Sequence, residues 1–324
     1  MSENIDYKKA AAYLKNHDNF HILIHQNPDG DAVGSGYALC FALRKMGKRA
    51  NVMCSDDIPS KYAYITDNYT ADKFSPDTII STDIADTKLL GKKLSAFADY
   101  VELAIDHHAT NTGFAKRLAI DPHASSACEI VYDIFKAGEI EIDELTATCI
   151  YTGMATDTGS FKFDCTTPRC HEIAAEIIRD FHVPTGRIGR ILFDIKSEER
   201  LRLETKIINS MQTYLDGKCA IIYISLDDLD AFSASNEDVE GVANIPMQIK
   251  GVEVGVTIKE KKENQYKISM RSAETIDVAE ICKKFDGGGH IRAAGCMMDG
   301  DIDQVRMKIL SAVAAEMGID LWLA

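Results

Sequence analysis

The residues best suited to chemistry are aspartates and histidines that directly follow short apolar runs. The segment His25-Gln-Asn-Pro-Asp29-Gly-Asp31 places an imidazole and two carboxylates in a turn after one such run. Carboxylate and imidazole ligands together suit divalent cations of hard to borderline character. Backbone hydrogen bonds alone explain this turn equally well, because Asp and Asn are favoured in turns. The segment by itself therefore leaves a metal site and a capped turn both open.

Three further segment ends carry the same residue types. They are Asp83 after TIIST, the triplet Asp106, His107 and His108 after VELAI, and Asp157 after the helical stretch 144–156. An isolated Asp after a strand is usually a loop residue or a helix cap. Two histidines after an aspartate are less common, and a carboxylate can orient a metal-binding imidazole. Four separate ends of this composition predict one shared metal site.

Alternating strands and helices are predicted to position these residues. The β-rich runs lie at 21–26, 50–55, 77–84 and 101–108, and the helical stretches lie at 32–48, 126–138 and 144–156. The second helix begins with Ser126-Ala-Cys-Glu129, a capping-box pattern. Alternation of this kind indicates βαβ units and a parallel sheet, whose ligands bind beyond the carboxyl ends of the strands. We therefore predict an α/β fold whose N-terminal domain is a doubly wound, mainly parallel sheet with the site at one edge.

A charged helical stretch separates this half from a region of different pattern. We predict a linker at 187–215, between a first domain at 1–186 and a second domain at 216–324. The second domain contains a strand, a hairpin around Glu263-Asn264, a glycine-rich stretch and a helix near 302–317. This pattern predicts a smaller C-terminal mixed-sheet α/β domain.

Composition limits the partners and the compartment. The chain has 324 residues with 36 Lys and Arg against 50 Asp and Glu, a net charge of −14. Such a surface does not attract long duplex nucleic acid, whose binding depends on many phosphate contacts. No apolar run approaches the ~18 residues of a membrane helix, and the start MSENIDYKKA lacks the apolar core of a signal peptide. Nine scattered cysteines without a CxxC pair fit reduced thiols, so we predict a cytoplasmic protein that does not bind a membrane.

Taken together, the motifs resemble a known family. HQNPDGD, STD, DHH and ATDTG resemble the four motifs of the DHH phosphoesterase superfamily, in the same order along the chain. GGGHIRAAG at 287–295 resembles the DHHA1 second domain of one branch of that superfamily. The resemblance covers nearly the whole chain. It is greatest to the branch of nanoRNases and 3′-phosphoadenosine 5′-phosphate phosphatases, with cyclic di-AMP phosphodiesterases close by.

The resemblance implies a site for two divalent ions. It assigns His25 and Asp29 to the first ion, Asp31, His107 and Asp157 to the second, and Asp83 to both. His108 would face the substrate phosphate, and Asp106 would orient the histidines. The usual metal of the family is Mn²⁺, with Mg²⁺ or Co²⁺ as substitutes. Two such ions ~3.5–4 Å apart supply an activated water and neutralise charge on the phosphoryl oxygens.

The resemblance also implies substrate-binding residues in the second domain. They are Arg271, Gly287, Gly288, Gly289 and His290, which would hold the end of the substrate far from the metals. Judged by itself, a run of three glycines is more typical of a flexible loop or a helix stop. A single Arg at a strand end is likewise more often simply solvated.

We therefore expect a metal-dependent hydrolase of very small nucleotides. The expected substrates are short oligoribonucleotides, meaning short single-stranded RNA, and 3′-phosphoadenosine 5′-phosphate, with cyclic di-AMP or linear diadenylates as the alternative. A manganese pyrophosphatase is less favoured, because its second domain differs from one containing GGGHIRAAG. A non-catalytic nucleotide-sensing module is disfavoured because no expected metal ligand is replaced. A homodimer is an expectation from the family alone.

Overall fold

The computed structural model describes residues 2–235, 237–239 and 241–320. The chain divides into two compact units, Met1–Ile195 and Lys196–Ala324. This division falls inside the segment 187–215 that was predicted as a linker. That segment contains a π-helical turn at Arg190–Asp194 and the whole of a helix at Glu198–Ser210.

The first unit contains a six-stranded sheet in which every pair of neighbouring strands is parallel. Its strands are β1 (Glu3–Asn4), β2 (Phe20–Leu23), β3 (Ala50–Met53), β4 (Thr78–Thr82), β5 (Leu103–Asp106) and β6 (Arg117–Ile120). The strand order is β1-β6-β5-β4-β2-β3, so β3 lies on one side of β2 and β4 on the other. The strand order therefore reverses between β2 and β4, the place where open α/β sheets bind ligands.

Helices cover this sheet. They are α1 (Tyr7–Asn16), α2 (Gly30–Lys45), α3 (Ala63–Thr66), α4 (Gly91–Leu94), α5 (Ala127–Ala137), α6 (Glu144–Asp157), α7 (Pro168–Phe181) and α8 (Thr185–Gly189). Phe20 and Ile22 of β2 point into a large core formed with the longer helices, whereas Leu23 points into a smaller core on the opposite face. Both faces are buried, as a parallel sheet requires. The predicted doubly wound α/β fold is confirmed.

Helices α2 and α6 pack unusually closely because glycines lie between them. A Cβ atom at Gly34 would lie 2.5 Å from the carbonyl oxygen of Cys149. A Cβ atom at Gly153 would lie 2.2 Å from Cys128 Sγ and 2.6 Å from Asp31 Oδ1. Only glycine allows so close an approach of two backbones. This packing brings the first turn of α2 beside the last turns of α6.

The second unit is a mixed sheet with one helical layer on each face. Its strands are β7 (Gln212–Tyr214), β8 (Cys219–Ile224), β9 (Val254–Lys262), β10 (Gln265–Ser272), β11 (Gly288–His290) and β12 (Ala293–Asp299). Its helices are α9 (Glu198–Ser210), α10 (Leu226–Ala231), α11 (Val278–Lys283) and α12 (Ile302–Glu316). The strand order is β11-β12-β10-β9-β8-β7, with β8 and β9 parallel and the other pairs antiparallel. The predicted mixed-sheet domain is confirmed.

Local predictions succeed best where turn chemistry is explicit. The hairpin of β9 and β10 turns at Glu263-Asn264, with Asn264 in the left-handed region at φ +57°. The predicted capping box at α5 is only half formed. Ser126 accepts from the Glu129 amide, but the Glu129 carboxylate accepts from the amide and hydroxyl of Ser125 instead of from the Ser126 amide.

Several elements were not predicted. They include the strands β1, β6, β7, β11 and β12 and the helices α1, α7 and α10. Helix α7 had a readable signal, because Thr167 caps it and Pro168 occupies its first position. None of the helices in the described residues combines the length and the apolar composition that crossing a membrane requires.

Candidate metal centre

The predicted metal ligands lie at the carboxyl ends of three neighbouring strands and at two helix ends. His25 follows β2 by two residues, Asp83 follows β4 directly, and Asp106 ends β5. Asp29 caps α2 by accepting from the amides of Asp31 and Ala32. The reversal of strand order between β2 and β4 places His25 next to Asp83.

The ligand atoms form three overlapping groups. Within each group these atoms lie no more than 4.8 Å apart. The groups are His25, Asp29 and Asp83; Asp31, His107 and Asp157; and Asp83, His107 and His108. Asp83 and His107 each belong to two groups, so the three groups form one continuous cluster. Two of the groups resemble the ligand sets that the family resemblance implies, but Asp83 is absent from the group of Asp31, and the third group adds His108. The assignment of ligands to ions, and the ions themselves, stay predictions.

Asp83 is the centre of this cluster. Its carboxylate oxygens lie 3.5 Å from His25 Nε2 and 3.6 Å from both His107 Nε2 and His108 Nδ1. Asp83 is only 3% exposed, and its Oδ1 atom is buried without a hydrogen-bond partner among the described residues. A buried carboxylate oxygen without a partner is costly unless a cation balances it. This orphaned oxygen therefore fits a bound metal.

Backbone and side-chain hydrogen bonds aim the imidazoles. The Nδ1–H group of His25 donates to the carbonyl oxygen of Gln26 at 2.8 Å, which leaves Nε2 facing the carboxylates. His107 Nε2 lies 3.2 Å from Asp157 Oδ2 and 3.9 Å from Asp31 Oδ2. A hydrogen bond at the far nitrogen commonly fixes the tautomer and ring orientation of a metal-binding His. His25 shows this arrangement directly.

Asp106 holds the turn that carries both histidines. Its Oδ1 atom accepts from the His107 amide at 2.9 Å and from His108 Nδ1 at 2.7 Å, while Oδ2 accepts from Asn111 Nδ2 at 2.6 Å. Asp106 is fully buried, and burial alone would raise its pKa. The hydrogen bonds from His108 and Asn111 outweigh burial and lower the pKa of Asp106. The same bond raises the pKa of His108 and leaves its Nε2 atom for another partner.

The carboxylates repel one another strongly. Asp31 is fully buried, and its two oxygens accept from the amides of Ala127 and Cys128 at 2.6 and 2.9 Å. Burial and the charge of Asp83 raise the pKa of Asp31 to about 7. Burial and the charges of Asp31 and Asp83 raise the pKa of Asp157 well above its ordinary value. Divalent cations would relieve this repulsion.

Burial shifts the pKa values of the imidazoles in the opposite direction from those of the carboxylates. Burial alone would lower their pKa values, but the surrounding carboxylates dominate. Asp29 and Asp83 raise the pKa of His25 to about 11, and Asp83 and Asp31 are the largest opposing influences that raise the pKa of His107 to about 10. These raised pKa values favour protonated histidines in the metal-free site, and a metal ion would have to replace those protons.

Some contributors to the site were not predicted from the sequence. Asn111, which holds Asp106, lies three residues after His108, and a polar residue so close to the motif was the available signal. The amides of Ala127 and Cys128 that donate to Asp31 are backbone groups, so the residue types at these positions do not reveal them. The pattern at 144–156 predicts a helix, but it does not indicate that position 153 must lack a side chain.

The candidate substrate residues of the second unit form one row across its sheet. Arg271 on β10 pairs with Ala293 on β12, which pairs in turn with His290 on β11. Residues directly opposite one another in antiparallel strands project from the same face. Arg271 is half-buried, and this burial lowers the pKa of its guanidinium. The structure thus brings Arg271 and His290 to one face of this unit.

The glycine run is an edge strand and not the flexible loop that a bare glycine triplet suggests. A Cβ atom at Gly287 would lie 2.3 Å from the carbonyl oxygen of Gly295. Gly289 has φ +146°, and a Cβ atom there would lie 2.5 Å from the carbonyl oxygen of Ala293. Packing against β12 therefore requires glycine at these two positions. At Gly288 a Cβ atom would meet open space.

Comparison with known proteins identifies two domain types in the chain. The DHH family, N-terminal domain, matches residues 19–154, and the DHHA1 domain matches residues 216–318. The Bifunctional oligoribonuclease and PAP phosphatase NrnA of Thermus thermophilus is 28% identical over 303 residues, which cover 92% of this chain and 90% of that protein. The Cyclic-di-AMP phosphodiesterase PdeA of Listeria monocytogenes is 23% identical, over 92% of this chain and 48% of that protein.

A solved structure agrees with the described fold. The crystal structure of an exopolyphosphatase-related protein from Bacteroides fragilis matches with a TM-score of 0.87 and 26% identity. The match covers 95% of this chain and 96% of that one. The similarity therefore includes both sheets described above.

Proposed function

The chain belongs to the DHH family, with a DHH domain followed by a DHHA1 domain, and from this premise we propose that it hydrolyses short oligoribonucleotides and 3′-phosphoadenosine 5′-phosphate. It is a metal-dependent phosphoesterase. The observation that carries the proposal is the continuous cluster of carboxylates and imidazoles around Asp83, with a buried oxygen that has no hydrogen-bond partner among the described residues.

The residues around Asp83 have different proposed roles in phosphoester hydrolysis. Two divalent ions, which we propose to be Mn²⁺ with Mg²⁺ or Co²⁺ as substitutes, supply an activated water and neutralise phosphoryl charge when bound. Asp83 belongs to two of the three ligand groups and would help to hold both ions. His108 Nδ1 donates a hydrogen bond to Asp106, which fixes the imidazole ring. The Nε2 atom of His108 is therefore free to donate a hydrogen bond to a substrate phosphate oxygen. No side chain is needed as a nucleophile.

The second unit supplies the basis for the substrate class. Arg271 offers a planar fork of donors that matches phosphate, and His290 lies in the same row of the sheet. The open space over Gly288 allows close approach of a sugar or phosphate to the backbone. We propose that these residues bind the part of the nucleotide that is not hydrolysed.

The relatives support a small nucleotide as substrate. The Thermus thermophilus relative is named an oligoribonuclease and PAP phosphatase, and the match includes 90% of its length. A second candidate activity is hydrolysis of cyclic di-AMP or linear diadenylates, favoured by the match of 92% of this chain to PdeA. All nine cysteines are unpaired, which supports action in a reducing compartment such as the cytoplasm.

A substrate panel tests the proposal. Purified protein with Mn²⁺ is given a diribonucleotide, a pentaribonucleotide, 3′-phosphoadenosine 5′-phosphate, cyclic di-AMP and pyrophosphate, each with and without a chelator. We expect chelator-sensitive release of mononucleotide or phosphate from the first three substrates, with Asp83→Asn as the inactive control. Turnover confined to cyclic di-AMP would favour the second candidate. Turnover confined to pyrophosphate, or turnover that survives chelation, would contradict the proposal.

A further inference from the structure

The loop that follows the metal-site residue Asp157 has an unusual backbone. Gly159, Ser160 and Phe161 are consecutive and all lie in the left-handed region, at φ +57°, +63° and +60°. Two of these three residues carry side chains, for which this conformation is unfavourable. Such conformations persist only where the surroundings enforce them, and they concentrate at functional sites.

Hydrogen bonds fold this loop back onto the end of α6. The Ser160 amide donates to the Ala155 carbonyl at 2.7 Å, and the Phe163 amide donates to the Thr158 carbonyl at 3.0 Å. The Phe161 amide donates to Thr158 Oγ1, also at 3.0 Å. Thr158 is the neighbour of Asp157 in the chain. The backbone of Phe163 is therefore fixed beside the residue that follows Asp157.

The ring of Phe163 is fixed but not buried. A Cβ atom at Gly159 would lie 2.3–2.6 Å from three carbons of this ring, so the ring rests on the glycine backbone. Phe163 is nevertheless 55% exposed. Its neighbours Lys162 and Asp164 are exposed too, so the ring does not belong to an apolar run along the chain that would suit a protein partner.

We propose that the exposed face of Phe163 is a stacking platform for a nucleobase of the substrate. This inference rests on the proposed function and adds a determinant of substrate class to it. A fixed aromatic ring loses little entropy when a base stacks on it, and every base has a π-face, so stacking accepts any sequence.

The experiment compares substrates with and without bases. One substrate is a diadenylate, and the other is its abasic counterpart, in which hydrogen replaces both adenines. The variants are Phe163→Ala, Phe163→Leu and Phe163→Trp. The matched control is Tyr100→Ala, which removes an aromatic ring that is 64% exposed and precedes β5, at the opposite end of that strand from the site. Mn²⁺-dependent thermal stabilisation checks that each variant folds and binds metal.

We expect Phe163→Ala to lower kcat/KM for the diadenylate by about five- to hundredfold, the usual range for loss of one base stack. Turnover of the abasic substrate should not change, Phe163→Trp should retain activity, and Phe163→Leu should resemble Phe163→Ala. Equal losses on both substrates, no loss on either, or full activity of Phe163→Leu would each overturn the proposal. Absence of turnover by the wild-type protein on the diadenylate would instead count against the proposed function.

Discussion

Replacing Asp83 with asparagine separates the charge of the central carboxylate from its shape. Asparagine has nearly the same size and tolerates the left-handed backbone at this position, where φ is +56°. The change removes a charge that lies within 3.6 Å of three imidazole nitrogens, those of His25, His107 and His108. We therefore expect a folded protein that binds metal poorly.

The expected loss of activity follows from the double role of this carboxylate. Asp83 belongs to two of the three ligand groups, whereas Asp157 belongs to one. Since the metals supply both the nucleophile and charge stabilisation, Asp83→Asn should lower kcat by ~10³ or more, equivalent to about 4 kcal/mol. Asp157→Asn should cost less than Asp83→Asn when both are measured at saturating Mn²⁺.

The stability of the same variant gives a second, independent measure. A metal present at about a hundred times its dissociation constant stabilises the folded state by roughly 2.7 kcal/mol. For a domain of this size that corresponds to an increase in Tm of about 5–10 °C. Asp83→Asn should lose most of this increase. Its stability without metal serves as the baseline, because loss of the Asp83 charge removes repulsion from Asp31 and Asp157 but also removes attraction to protonated His25 and His107.

The assay is steady-state turnover of a diribonucleotide together with thermal unfolding over a Mn²⁺ titration. Asp157→Asn is the matched comparison, since it removes one carboxylate charge from a single ligand group. A folded Asp83→Asn protein with wild-type kcat and an undiminished Mn²⁺-dependent rise in Tm would refute the assignment of Asp83 to both ions.

Three further predictions concern pH, the second unit and substrate length. Carboxylates raise the pKa values of His25 and His107 to about 11 and 10, so a metal ion must displace their protons. Below these pH values, the Mn²⁺ dissociation constant should therefore rise about tenfold or more for each unit by which the pH falls. Calorimetry that shows no pH dependence of this constant between pH 7 and 9 would contradict the prediction. In the metal-free protein the same shifts stabilise the fold below pH ~6.5 and lose that effect as pH rises towards 10–11, so stabilisation by Mn²⁺ should grow with pH. Arg271→Ala and His290→Ala should lower kcat/KM for a dinucleotide by roughly ten- to hundredfold, while a small chromogenic diester and metal content are unaffected; parallel losses on both substrates would point to misfolding. Turnover should fall steeply from dinucleotides to long single strands, because a chain of net charge −14 disfavours many phosphates, and equal rates at moderate salt would count against a small-nucleotide enzyme.

Local structure was largely readable from the sequence, because short-range chemistry specifies it. The apolar run before His25 gives a buried strand, and Asp29 with Gly30 gives a capped helix start. Asn264 adopts the left-handed conformation that the hairpin turn requires. The residue types at the strand ends predicted a metal site, because carboxylate and imidazole ligands together suit divalent ions.

The grouping of those residues depends on contacts between distant parts of the chain. The strand order is a property of the whole packed sheet, and that order places His25 beside Asp83. No local pattern specifies it, since the same β and α segments suit several orders. The missing side chain at Gly153 lets α6 approach α2 closely enough to bring Asp157 into one group with Asp31.

The second unit shows the same division between sequence and tertiary structure. The sequence identified Arg271 and His290 as candidates, but a glycine triplet by itself indicated a loop. Only the register of β10, β12 and β11 places both residues opposite Ala293 in one row. Strand pairing decides this arrangement, because hydrogen bonds to a partner strand fix a glycine-rich segment that has little conformational preference of its own.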